Sequence, residues 1–85
     1  MKKKLSNFKT PIILRINEDD SGIALCYEKL MSLNEIAVKF LLSLENNMPD
    51  LEIVELIYKD YDINRDLIIN DLNLFKKKLK KMEIL

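Results

Sequence analysis

Few residues in this chain have side chains suited to catalysis, and their spacing does not assemble them into a reactive site. Histidine is absent, Cys26 is the only cysteine and Gly22 the only glycine. Losing histidine removes the commonest general base and the commonest metal ligand near neutral pH. A hydrolase or transferase needs a nucleophile with a base beside it, paired carboxylates in a cleft, or a glycine loop that cradles phosphate, and the sequence contains none of these. Cys26 has no base nearby, so it is expected to be a small semi-buried side chain on the strand face opposite Leu25 and Tyr27. Glu18, Asp19 and Asp20 could gather around a cation, but next to Ser21 and Gly22 they make a solvated turn that needs no ion. Gly22 is expected to supply the positive φ of that turn. The expectation is a protein that is not an enzyme and holds no metal or cofactor.

Composition sets the outer bounds. Eighty-five residues with 48% hydrophobic content suit one small core. The net charge is zero but unevenly placed: residues 1–17 carry five positive charges and no acid, residues 18–62 sum to minus eight, and residues 64–85 sum to plus three. Such asymmetry favours a polar partner with complementary patches, whereas a strongly basic domain would have pointed to nucleic acid. No apolar run reaches the roughly 18 residues of a membrane span, and Met1 to Lys4 lead into polar sequence, so a cytoplasmic protein is expected with no membrane partner. A lone cysteine allows no internal disulfide.

The elements follow from periodicity. Residues 1–11 read as a flexible basic arm ending at Pro11. Ile12, Leu14 and Ile16 then alternate with Ile13, Arg15 and Asn17, and after Asp19-Asp20-Ser21-Gly22 the alternation resumes with Ile23, Leu25 and Tyr27, which predicts a β-hairpin. Lys29 to Leu33 completes a three-stranded antiparallel meander with this third strand on an edge. Ser32-Leu33-Asn34-Glu35 has capping-box spacing with Asn34 as a competing cap, and Ala37, Phe40, Leu41 and Leu44 predict a first helix from Glu35 to Leu44. Asn46-Asn47 and Met48-Pro49-Asp50 separate it from a second helix with a stripe of Ile53, Val54, Ile57 and Tyr61. A third, ending near Glu83, aligns Ile68, Leu72, Phe75, Leu79 and Met82 on one face. The fold class is α+β, three strands followed by three helices, with residues 12–85 as a single domain.

That third helix has more apolar surface than one core stripe needs. Leu67 and Leu74 fall outside the main face, and with Asp71 and Lys78 they form a second line at spacings of four, three and four. This line is either the flank of a broad core face or one wall of a groove. Lys76, Lys77, Lys78, Lys80 and Lys81 surround the end of the helix, where the macrodipole favours cations and where they could also attract an acidic peptide or phosphates. Three helices in this order are compatible with a nucleic-acid-binding winged helix. Against that reading, Asp66 and Asp71 stand where base contacts belong, and the helix has no arginine beyond Arg65.

Leu33-Asn34-Glu35-Ile36-Ala37, followed by Phe40-Leu41-Leu42 and Glu45-Asn46-Asn47, resembles the PqqD-like family, the recognition elements of ribosomally synthesised, modified peptides (RiPPs). The resemblance continues through Glu52-Ile53-Val54 to Tyr61, through Asp71-Leu72, Phe75 and Leu79 to Ile84-Leu85, and upstream to Leu25-Cys26-Tyr27-Glu28, covering about residues 12–85. Two departures stand out: asparagine replaces the usual glycine at 46 or 47, and Tyr27 replaces a proline often found before the acidic residue of the strand turn.

The resemblance implies a winged helix-turn-helix-like fold in which the leader segment of a precursor peptide adds as a strand to the third strand, here Leu30, Met31 and Ser32. The peptide's side chains would pack against the third helix, where Leu67 and Leu74 would choose the cargo, Asp71 would stand in the same peptide-binding line, and Lys77, Lys78 and Lys81 would attract acidic leader residues. It also implies a partner enzyme that receives the cargo, such as a radical-SAM maturase or a leader peptidase. The competing expectations are a winged-helix nucleic-acid-binding protein, disfavoured on the grounds above, and a structural subunit whose groove is filled by another protein or a second copy.

Overall fold

Period-two alternation builds the N-terminal part of the chain and period 3.6 the rest. The computed structural model describes residues 1–85. Its elements are β1 (Lys2–Leu5), β2 (Ile12–Ile16), β3 (Gly22–Cys26), β4 (Lys29–Leu33), α1 (Glu35–Glu45), α2 (Asp50–Tyr61) and α3 (Arg65–Lys81). The strands form an antiparallel sheet in the order β1-β2-β3-β4, so β1 and β4 are its two edges. No helix is long and apolar enough to cross a membrane.

The three expected strands and three helices are present, together with a fourth strand where a flexible arm was expected. Lys2 to Leu5 pairs with Arg15 to Ile12, and Met1 and Ile16 exchange hydrogen bonds of 3.0 and 2.8 Å. Leu5 and Phe8 enter the core, and Thr10 is buried with its hydroxyl donating to the Glu83 carbonyl. The Glu45 carboxylate accepts from the backbone N–H groups of Ser6 and Asn7. Three consecutive lysines hid this strand: only Leu5 of β1 is buried, too little for a visible alternation.

One face of the sheet is covered by the helices and the other is open. The covered face carries Leu5, Ile12, Leu14, Ala24, Cys26, Met31 and Leu33. Large apolar residues of β3, Ile23 and Leu25, lie on the open face beside Ile13 and Leu30, and the small ones, Gly22, Ala24 and Cys26, face the helices. Tyr27 does not continue the strand; it occupies the two-residue turn before β4 with φ 55°, exposed to solvent.

Gly22 has a different role from the one expected. Its φ is not positive, and it lies inside β3 opposite Ile16 and Leu33. The left-handed position of the preceding turn is taken by Asp20, at φ 67°. A Cβ at Gly22 would meet the Arg15 carbonyl oxygen at 2.9 Å and Val38 Cγ2 at 3.0 Å. Close approach of α1 to the sheet is therefore what requires glycine here. Asp19 closes the turn: its carboxylate accepts from the Ser21 N–H and hydroxyl, which holds its pKa below the usual carboxylate value.

The helices begin and end on identifiable caps. Asn34 accepts from the Ala37 N–H at 2.8 Å to start α1, and Asn64 accepts from the Asp66 N–H at 2.8 Å to start α3. Asp62 ends α2 in the left-handed conformation, and Asn47 takes it after α1. Arg65 joins α2 to α3 by stacking 3.8 Å over Tyr58 and donating to both carboxylate oxygens of Glu55. Ile68, Leu72, Phe75 and Leu79 bury the core face of α3, and Phe40 meets Phe75 with ring centroids 5.8 Å apart. The close packing at Gly22 yields a prediction. Gly22→Ala should destabilise the fold by about 1–3 kcal/mol in urea denaturation, because backbone and Val38 must both give way. A loss under about 0.5 kcal/mol would contradict the steric account.

Candidate functional site

Backbone bonding decides which part of β4 is free. The Ser21 carbonyl accepts from the Asn17 N–H at 2.8 Å, so residue 21, and by alternation Ile23 and Leu25, turn their polar backbone groups toward β2. Gly22, Ala24 and Cys26 then turn toward β4, where they stand opposite Leu33, Met31 and Lys29. Met31 therefore spends its backbone on β3 and its side chain on the core, where it is buried. Leu30 and Ser32 direct their N–H and C=O outward from the edge, with both side chains exposed on the open face of the sheet.

Where Asn34 follows the end of β4, a groove opens between α1 and α3. One section of it, about 340 Å³, is lined by Asn34, Ile36, Ala37, Phe40, Asp71, Leu74, Phe75 and Lys78. A second hollow, at the other end of β4, includes Cys26, Tyr27, Lys29, Met82 and Glu83. The start of β4 thus lies near the end of α3, and the end of β4 near its middle, so the two elements run in opposite directions.

Of the residues singled out from sequence, Asp71, Leu74 and Lys78 come together in the groove. Leu74 is 56% exposed and Leu67 59%, so their line is not the flank of the buried stripe. Leu67 lies about two turns nearer the start of α3 than Leu74 and does not line the hollow. Lys77 sits around the helix with Asn70, Asn73, Leu74, Lys76 and Lys80, on a separate basic face. Lys81 is exposed in the last turn, outside both hollows beside β4. Lys76 is engaged by Asp50 at 2.9 Å, whereas Asp71, Lys77, Lys78 and Lys81 form no ion pair. Sequence reasoning missed the α1 contribution: Ala37 and Phe40 read as core, and Ile36 was passed over. The available signal was that Ile36 and Phe40 lie four apart along one side of the α1 stripe, much as Leu67 and Leu74, seven apart, lie beside the α3 stripe.

No group of three or more metal-ligating side chains is placed to hold an ion, and the Asp19 carboxylate is occupied by Ser21. Cys26 is buried among the core residues. The site therefore consists of an unpaired backbone edge, an apolar floor and two unpaired charges of opposite sign.

No family model matches the chain, and no curated protein sequence matches it. Among solved structures, the chain resembles TbiB1 in complex with the TbiA(beta) leader peptide, with a TM-score of 0.73, 24% identity and 87% of each chain covered. At that identity the likeness shows a shared fold: an α+β arrangement of antiparallel strands and helices.

The α1 wall of the groove is held in place by a hydrogen bond from the Tyr61 hydroxyl to the Glu35 carboxylate. Partial burial and this bond push the Tyr61 pKa up to about 12. A tyrosine whose folded pKa is raised favours the protonated form in the fold. Its stabilisation is fully present below the ordinary tyrosine pKa near 10 and is lost as pH rises toward 12. Tyr61→Phe should therefore flatten the fall in stability between pH 10 and 12 relative to the parent chain, measured by urea denaturation at each pH. Equal slopes would show that the fold does not raise the pKa of this phenol.

Proposed function

We propose that the chain binds the leader segment of a ribosomally synthesised precursor peptide by strand addition at β4 and presents it to a maturation enzyme, without catalysing any step itself. The observation that carries the reading is the outward-directed backbone of Leu30 and Ser32 alongside an apolar groove. An extended peptide satisfies such an edge through its own main chain, gaining affinity with little demand on sequence, while alternate side chains enter the groove and select the cargo. The shared fold with TbiB1, a protein solved in complex with a leader peptide, supports the same reading. The residue pattern that resembles the PqqD-like recognition elements, with their winged helix-turn-helix-like form, also supports it.

In this role Leu30 and Ser32 give backbone bonds, and Met31 keeps the strand seated from within the core. Leu74 covers the apolar anchor of the peptide, Asp71 and Lys78 set its charged limits, and Leu67 extends that wall one turn beyond Asp71. Lys77 and Lys81 act at longer range, raising encounter rates with acidic cargo more than they stabilise the complex. A radical-SAM maturase or a leader peptidase is the class of enzyme that would receive the peptide. Nucleic-acid binding is less well supported: the only arginine of α3 is committed to Glu55 and Tyr58, and Asp66 and Asp71 repel phosphate along the half of the helix that would enter a groove.

The test is calorimetric, with the chain's precursor leader as ligand and circular dichroism verifying the fold of each variant. Leu74→Asp should preserve helix content because the side chain is exposed, yet weaken leader binding by about 1.5 kcal/mol or more, roughly tenfold. Lys78→Ala should cost less, since ion pairs open to solvent contribute about 0–1 kcal/mol. Normal binding by the Leu74 variant together with abolished binding by the lysine variant would overturn the groove reading in favour of an electrostatic partner.

A further inference from the structure

Asp71 and Lys78 border the same apolar hollow, and neither forms an ion pair within the fold. They are seven residues apart on one helix, about 10 Å along its axis. Leu74 lies between them and Phe75 forms the floor. In a peptide strand, groove-facing side chains recur every second residue, about 6.7 Å apart, so the positions flanking a central anchor are about 13 Å from each other. That span matches the reach of two flexible charged side chains on either side of Leu74.

Direction follows from topology. α3 runs opposite to β4, because the middle of α3 lines a hollow with Asn34 and its end lines one with Lys29. Every strand pairing in the sheet is antiparallel, so a fifth strand that continues the meander also runs opposite to β4 and therefore parallel to α3. Its earlier residues pass Asp71 and its later ones pass Lys78.

From this geometry, and resting on the peptide-groove reading, we infer that the site selects a peptide whose groove-facing positions read, from N- to C-terminus, a cation, an apolar residue and an acid, with one residue between each. Asp71 pairs with the leading cation, Leu74 and Phe75 enclose the apolar anchor, and Lys78 pairs with the trailing acid. Reversing the two charges places like charges together at both ends of the hollow, an arrangement that discriminates by repulsion as well as by attraction.

Two synthetic ten-residue peptides test the order. They have the central sequences Lys-Thr-Leu-Thr-Glu and Glu-Thr-Leu-Thr-Lys and identical neutral flanks. Each is titrated by NMR against the full chain and against the double variant Asp71→Lys, Lys78→Asp. The parent chain should prefer the first peptide by about fivefold or more, equivalent to about 1 kcal/mol, and the double variant should prefer the second. Equal binding of both peptides, abolished in Leu74→Asp, would overturn the charge order while leaving the groove reading intact. Preference of the parent for the second peptide would overturn the inferred direction. Binding of neither peptide to the parent at millimolar concentration would overturn the inference together with the groove reading beneath it.

Discussion

An antiparallel sheet must end somewhere, and each end leaves half of a strand's backbone groups without partners. Much of what is distinctive in this chain follows from how its two edges are treated. At β1 the edge carries Lys2, Lys3 and Lys4, charges that discourage a further strand. At β4 the edge carries Leu30 and Ser32, and a groove with an apolar floor opens where the strand ends. One edge is blunted with charge and the other is not.

The helices can flank that edge without covering it because α3 divides its circumference between two tasks. Ile68, Leu72, Phe75 and Leu79 face the core, and each fully buried side chain of this kind contributes about 1.5–3 kcal/mol. Leu67, Asp71, Leu74 and Lys78 are left outside, anchored by the same helix but not required by the core. The connection to α2 fixes the angle at which this outer line is held, through Asp62, Asn64 and the contacts of Arg65 with Tyr58 and Glu55. The exposed ion pairs themselves add little to stability. Their value is geometric, since they orient a helix whose outer surface is exposed.

Much of this was legible in the sequence, and the unread parts have physical causes. β4 and the starts of α1 and α2 were readable because Asn34 and Pro49 punctuate strong changes of period. The line from Leu67 to Lys78 was visible as apolar residues in excess of a core stripe. β1 was hidden because its pairing rests on backbone bonds and a single inward leucine, which alternation cannot reveal. Gly22 was misread because a turn and a close helix approach both call for glycine, and only the position of Val38 distinguishes them. The contribution of Ile36 and Phe40 was harder to read, because their four-residue spacing on α1 points to a groove only once α1 and α3 are known to converge.

The central claim is that a peptide completes the sheet at β4, and amide hydrogen exchange at single-residue resolution tests it most directly. With the Lys-Thr-Leu-Thr-Glu peptide at saturation, the amides of Leu30 and Ser32 should gain protection, while Met31, already bonded to β3, should change little. Protection that appears instead along Lys2 to Leu5, or on α3 with the Leu30 and Ser32 amides still exchanging freely, would contradict strand addition at this edge.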